Sequence, residues 1–289
     1  MNKVEVLRSD GISFKLHKDM RKTRGGKIKI KAKCKSIIVI KITVAVLVAI
    51  TVYGFLTFDY GNINFGEAIE RTIANVRTMF GQPRLTHVSF GGAMWSLLIT
   101  FSLAALTTIF GAIIAFFGAL LCARNIANPA VCNIVRGFVA FIRAVPSILW
   151  VLIFTVSAGL GSVAAVAGLT LHSAGYLIKA YAESIEEMDS GTIEALKASG
   201  AGFWQIVFQA ILPASISYMT AWTFLRFEIN FTNAIAMGAA AGAGGIGFEL
   251  FKAGSFYFDL NELGFITYIV VGTVILLELA ATRIKAKVR

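Results

Sequence analysis

The most chemically pointed residues lie inside an apolar run from about Ile211 to Met237, which carries Arg226, Glu228, Asn230 and Asn233. A helix rising 1.5 Å per residue puts Arg226 roughly 20 Å beyond Pro213, near the middle of a bilayer. A charge there costs at least about 2.5–3.5 kcal/mol, so it faces a bundle, a cavity or a counter-charge. Arg226, Asn230 and Asn233 fall at i, i+4 and i+7, one polar stripe, while Glu228 and Thr232 fall on another face. The stripe either lines a path that transiently stabilises an anion, or it is a buried structural network completed by Glu228 of a second copy or by Glu278. His172 and Ser173 sit inside another apolar run, as a satisfied interhelical pair or as a substrate contact.

Other constellations point away from catalysis. Cys34, Cys122 and Cys132 lack CxxC spacing, and His17, His87 and His172 are scattered, so no metal or disulfide framework is expected. Gly242-x-Gly244-x-x-Gly247 matches the dinucleotide fingerprint in letters only. That motif works after a strand and before a helix, and here a transmembrane helix precedes it. Gly242, Gly244, Gly245 and Gly247 are read as a tight turn and close-packing point near an outer gate. No GxxxxGK[ST] loop occurs, so no ATPase site and no cofactor are expected.

The elements that must position these residues are membrane spans. Of 289 residues, 57% are apolar and 15% charged. With a mean hydropathy of +0.75, this departs from soluble domains, where about 25% are charged. Six spans are predicted: 36–58, about 93–123, 144–158, 162–179, 211–237 and 264–281. Residues 128–143 read as an amphipathic surface helix, and Gly159-Leu160-Gly161 as a tight turn. The formal charge is +11, and residues 1–35 hold 12 Lys/Arg against three acids. This basic arm is read as disordered and near anionic lipid, not as a nucleic-acid binder. With the N-terminus inside, the inner segments carry 21 Lys/Arg and the outer ones 4, which predicts both termini in the cytoplasm. Arg124, Arg136 and Arg143 are read mainly as topology determinants.

Segment 182–213 differs from the spans. Asp189-Ser190-Gly191-Thr192 offers turn and N-cap chemistry. Ile193, Leu196 and Ala201 make an apolar stripe, and Glu194 is expected in the first turn, favouring the helix dipole. Gly200 and Gly202 end the helix. A short amphipathic helix tethered to spans at both ends suits docking into a soluble partner, or it packs only on its own bundle.

These residues carry a resemblance. Glu194-Ala195, Gly200 six after the Glu, and Leu212-Pro213 resemble the EAA loop of ABC-importer permeases, with Leu196 replacing the third small residue and Ala210 the usual Ile. Arg143-Ala144-Val145-Pro146, His172-Ser173-Ala174-Gly175, Arg226-Phe227-Glu228-Ile229-Asn230 and the glycine stretch 242–247 look like the phosphonate-import branch. The similarity covers about 85–285, the permease core, beyond the arm (1–35) and first span. It implies an all-α integral membrane protein of the MetI-like type I importer fold, with Glu194, Ala195, Gly200 and Ala201 coupling to a cytoplasmic ABC ATPase dimer. It further implies an extracytoplasmic substrate-binding protein and a second permease copy forming a homodimer in the inner membrane. The expected cargo is phosphonate or a related phosphorus oxyanion. The competing class is an ATPase-independent secondary transporter or channel, which explains the spans and Arg226 but not the loop.

Overall fold

The computed structural model describes residues 20–22, 28–30, 35–59 and 64–288. The chain divides into two compact units, Met1–Ala68 and Ile69–Arg289.

In the first unit, two three-residue strands, β1 (Met20–Lys22) and β2 (Ile28–Ile30), pair antiparallel with Met20 opposite Ile30. The alternation Ile28-Lys29-Ile30 has the period of two that a strand needs. The disorder expected of the arm falls mostly on residues outside the described ones. Helix α1 (Lys35–Thr57) is apolar on all sides with its large side chains exposed, as a lipid-facing span requires.

The second unit is a helical bundle. Residues 59–92, expected as a loop, contain α2 (Phe65–Gly81), which is strongly amphipathic and has no buried residue. Helix α3 (Phe90–Cys122) is capped by the Ser89 side chain, which accepts from Gly92 N–H. It buries Gly111, Ala115 and Ala119, a stripe of small residues, against α6 (Ser162–Glu186). Small side chains let membrane helices approach closely, where dispersion replaces the missing hydrophobic drive.

The third span differs from its expected form. Helix α4 (Pro129–Ala144) is not only a surface helix; it meets α5 (Ser147–Ala158) at a bend of 90°. Pro146 causes the break, since it lacks an N–H and disfavours the helical conformation of Val145. Trp150 Nε1 donates to the Ile142 carbonyl at the end of α4. Helix α7 (Ser190–Ala198) follows α6, which is longer than expected.

The fifth span begins earlier than Ile211. Helix α8 (Phe203–Ile206), a π-helical turn (Val207–Ile211) and α9 (Leu212–Ala241) form one rod with Pro213 in its first turn. A π-turn is a common way to absorb a local break in the hydrogen-bond ladder. Residues 241–263, expected as a loop, contain α10 (Gly245–Ser255), and α11 (Leu260–Val288) is longer than its expected core. Among the described residues, four helices are long and apolar enough to span, or up to six if α4–α5 and the rod 203–241 with α10 each count as one.

One core cluster gathers Ala115, Ala119, Leu177, Tyr181, Ile185, Ile193, Val207 and Ile211 from α3, α6, α7 and the π-turn. A second, at the far end, holds Ala93, Ile246, Ala253 and Ile266.

A docked helix and a buried arginine locus

Helix α7 has one face in the core and one in solvent. Asp189 caps it, its Oδ1 accepting from Gly191 N–H. The helix therefore begins at Ser190 and Glu194 sits in its second turn, so Asp189, not Glu194, supplies the N-terminal negative charge. Ile193 is only 2% exposed and belongs to the core cluster, with Leu196 and Ala201 packed against it. Glu194, Ala195 and Gly200 are exposed, and Ala201 is half-buried.

The stop is built on Gly200, whose φ is +82°. Gly200 N–H donates to Lys197 O and Ala201 N–H to Leu196 O, the paired bonds of a Schellman ending. Such endings carry an apolar contact from the residue after the glycine back to the last turn. That contact explains Leu196 where the loop pattern has a small residue. Beside α7 lies a cleft of about 970 Å³, lined by Glu187, Thr192, Ala195, Gln209, Pro213 and Tyr218 among others.

Deeper in the bundle, three sequence motifs that lie up to 83 residues apart meet. Arg226 is 3% exposed; its Nε donates to Ser173 Oγ, which donates to Asn230 Oδ1. Asn230 Nδ2 donates to Thr108 Oγ1 at 2.9 Å. So Arg226 and Asn230 share one network within the chain, while Asn233 is half-buried and outside it. The guanidiniums of Arg143 and Arg226 lie 4.6 and 5.0 Å from the centroid of the Tyr176 ring. His172 stands beside Tyr176, with ring centroids 6.2 Å apart. Arg143 is thus part of this locus and more than a topology determinant. Tyr176 escaped the sequence reading because an aromatic in a span carries no polar signal by itself.

Arg136 has another role again. It bonds Glu186 and the Cys122 carbonyl, and Arg124 N–H also donates to Glu186. These bonds tie the ends of α3, α4 and α6 together.

The glycine stretch is placed elsewhere. Gly242 (φ +61°) ends α9, and Gly244 and Gly245 also have positive φ. Ala243 N–H donates back to Met237 O, so the chain doubles back and α10 starts beside α9. A Cβ on Gly247 would stand 1.9 Å from Ile235 O. Ile246 N–H donates to Thr100 Oγ1. The stretch runs from helix α9 into helix α10, so the element before it is a helix and not the strand that the dinucleotide fingerprint requires.

His87, Asp259 and Glu262 bring potential metal-binding atoms within 4.8 Å of one another. Their atoms are already engaged. Glu262 Oε1 accepts from the backbone N–H of Thr86, His87 and Val88, and Oε2 pairs with His87 Nδ1 at 2.8 Å. Asp259 caps α11 through Asn261 and Glu262 N–H. The Glu262 N–H bond is the main cause holding the Asp259 carboxyl below its usual pKa. The group is a clasp joining the start of α3 to the start of α11. No spacing rule connects residue 87 with residue 262, so the sequence reading missed it.

Residues 115–288 match the family described as binding-protein-dependent transport system inner membrane component. The chain is 37% identical over 147 residues to the phosphite transport system permease protein PtxC of Stutzerimonas stutzeri, covering 50% of this chain and 52% of that protein. It is 32% identical over 155 residues to the phosphate-import permease protein PhnE of Mycolicibacterium smegmatis, covering 53% of this chain and 29% of that protein. The chain thus spans about half, or less, of these curated relatives. Its fold is similar to an inward-facing structure of the MetNI methionine ABC transporter, with TM-score 0.61 and 26% identity over 70% of this chain and all of that one.

Proposed function

The chain belongs to the family of binding-protein-dependent transport system inner membrane components, and from that premise we propose that it is the permease subunit of an ATP-driven importer for a phosphorus oxyanion. It is a multi-pass membrane protein; the excess of Lys/Arg in the inner segments supports an orientation with both termini in the cytoplasm. Its proposed partners are two cytoplasmic ATPase subunits, an extracytoplasmic binding protein and a second copy of itself. The relatives named for phosphite and phosphate import support the cargo class.

The observation that carries the reading is the two-faced α7. Ile193 fixes one face in the core shared by α3, α6 and the π-turn. The opposite face presents Glu194 and Ala195. A push on that face is transmitted to the spans because close-packed interiors are stiff. ATP-driven closure of the ATPase dimer would then move α7 and open the bundle outward; ATP hydrolysis would return it. Glu194 acts by docking and not by chemistry. Arg226 and His172 are proposed to stand along the path, with Asn230 holding Arg226 in place and Asn233 further along the same helix. The glycine turn 242–247 is proposed to act near the outer gate.

The test is Glu194→Lys in the assembled transporter. Uptake of phosphite or phosphate is expected to fall to background with membrane insertion intact. Uptake at the normal rate would refute docking through this face.

A further inference from the structure

The arginine locus holds charges that the chain does not neutralise. Among the described residues, no carboxylate lies within 4.0 Å of Arg143 or Arg226, whereas Arg136, on the same helix as Arg143, pairs with Glu186. The Tyr176 ring stabilises both cations but adds no negative charge. Two unpaired cations inside a membrane bundle remain costly.

The unmet hydrogen bonds point the same way. Arg226 Nη2, Arg143 Nε and His172 Nδ1 are buried and have no partner. Arginine nitrogens are donors only, and an imidazole nitrogen donates in the matching tautomer or when protonated. Ser173 Oγ accepts from Arg226 Nε and is itself held by Asn230, so the guanidinium is fixed in direction while its Nη2 stays unmet. The distances to the shared ring place the two guanidinium carbons within about 10 Å of each other. A tetrahedral oxyanion accepting bonds of about 2.8 Å on two sides spans a separation of that order.

Tyr176 is 41% exposed. It precedes Glu187, the C-cap of α6, which lines the cleft beside α7, by eleven residues. Eleven residues is close to three full turns, so both lie on one face of that helix.

We propose that Arg143 and Arg226, mounted on Tyr176 beside His172, form a two-arginine clamp that holds the phosphorus oxyanion within the membrane during transit. The inference rests on the importer reading for the identity of the cargo. It adds Arg143 and Tyr176 to the path, and it gives α4 a part in binding. Because Arg143 stands three residues before the Pro146 break, the anion would link the bent span α4–α5 to α9.

Two measurements test it separately from the importer reading. The first is thermal unfolding of the purified full-length permease with inorganic phosphate, against chloride at equal ionic strength. Phosphate is expected to raise the midpoint of the wild type, less so in Arg143→Lys, and not at all in Arg143→Gln. An equal shift in wild type and Arg143→Gln, or none in the wild type, overturns the clamp. A carboxylate from a second copy would give that last result, with Glu228→Gln or Glu278→Gln lowering the midpoint instead. The second is phosphite or phosphate uptake by the full transporter in proteoliposomes. Arg143→Gln and Arg226→Gln are each expected to reduce it at least tenfold, with binding-protein-stimulated ATP hydrolysis retained. Wild-type uptake with unchanged rates in both variants sinks the clamp alone. Absence of wild-type uptake sinks the importer reading, and the phosphate shift still decides the clamp.

Discussion

Replacing Ile193 with alanine tests how force passes from α7 to the spans. Ile193 is 2% exposed and is the one fully buried side chain of this nine-residue helix. A helix this short is marginal in water without tertiary contacts, so its docking depends on that side chain, helped by Leu196 and Ala201 at the rim of the same cluster. Ile→Ala in a packed core costs about 2–5 kcal/mol, including the cavity left behind. At 1.4 kcal/mol per tenfold, the lower figure already raises local opening of α7 by about 30-fold. Amide hydrogen exchange across 190–201 reads that opening directly, and Ile193→Val, which costs about 0.5–1.5 kcal/mol, sets an intermediate point. Lys197→Ala is the control, since Lys197 is exposed on the same helix. In the importer proposed above, Ile193→Ala is expected to raise ATP hydrolysed per oxyanion imported, because the partner ATPase would move a helix that no longer pulls the bundle. Unchanged exchange, or faster exchange with unchanged coupling, would refute the idea that Ile193 transmits the movement.

Two further outcomes follow from the opposite end of the bundle. A Cβ on Gly264 would stand 1.7 Å from the Met79 carbonyl, so Gly264→Ala should displace the end of α2 and break the bond from Tyr268 hydroxyl to Phe80 O. Limited proteolysis at residues 60–85 should then quicken, and an unchanged pattern would contradict the docking. The Asp259 carboxyl has a folded pKa below its usual 3.8. Its contribution to stability is therefore complete above that value and is lost as pH falls through the lower folded value. Thermal unfolding should show a loss below about pH 4 that Asp259→Asn removes, and an unchanged acid limb in the variant would count against the cap.

The sequence alone determined much of this protein. Span-length apolar runs, the 3.6-residue period and the basic excess in alternate segments are local features, so they place the membrane helices without a fold. Within the loop 182–213, the part from Asp189 to Ala201 was legible because its cap, stripe and glycine stop act within a few turns, whereas 203–211 read as loop and begins the fifth span. Elements between spans were less so: α2 and α10 are short amphipathic helices whose length looks like a loop to hydropathy. Helix α4 read as a surface helix because only its packing on α6 carries Arg143 into the bundle. Tertiary structure also decided the partners of the polar residues. Arg143, Tyr176 and Arg226 come from three helices, and Glu262 meets His87 across 175 positions. Side-chain type predicts that a buried charge needs company; only the folded chain brings Tyr176 and Ser173, backed by Asn230, to Arg226, with no carboxylate within 4.0 Å among the described residues.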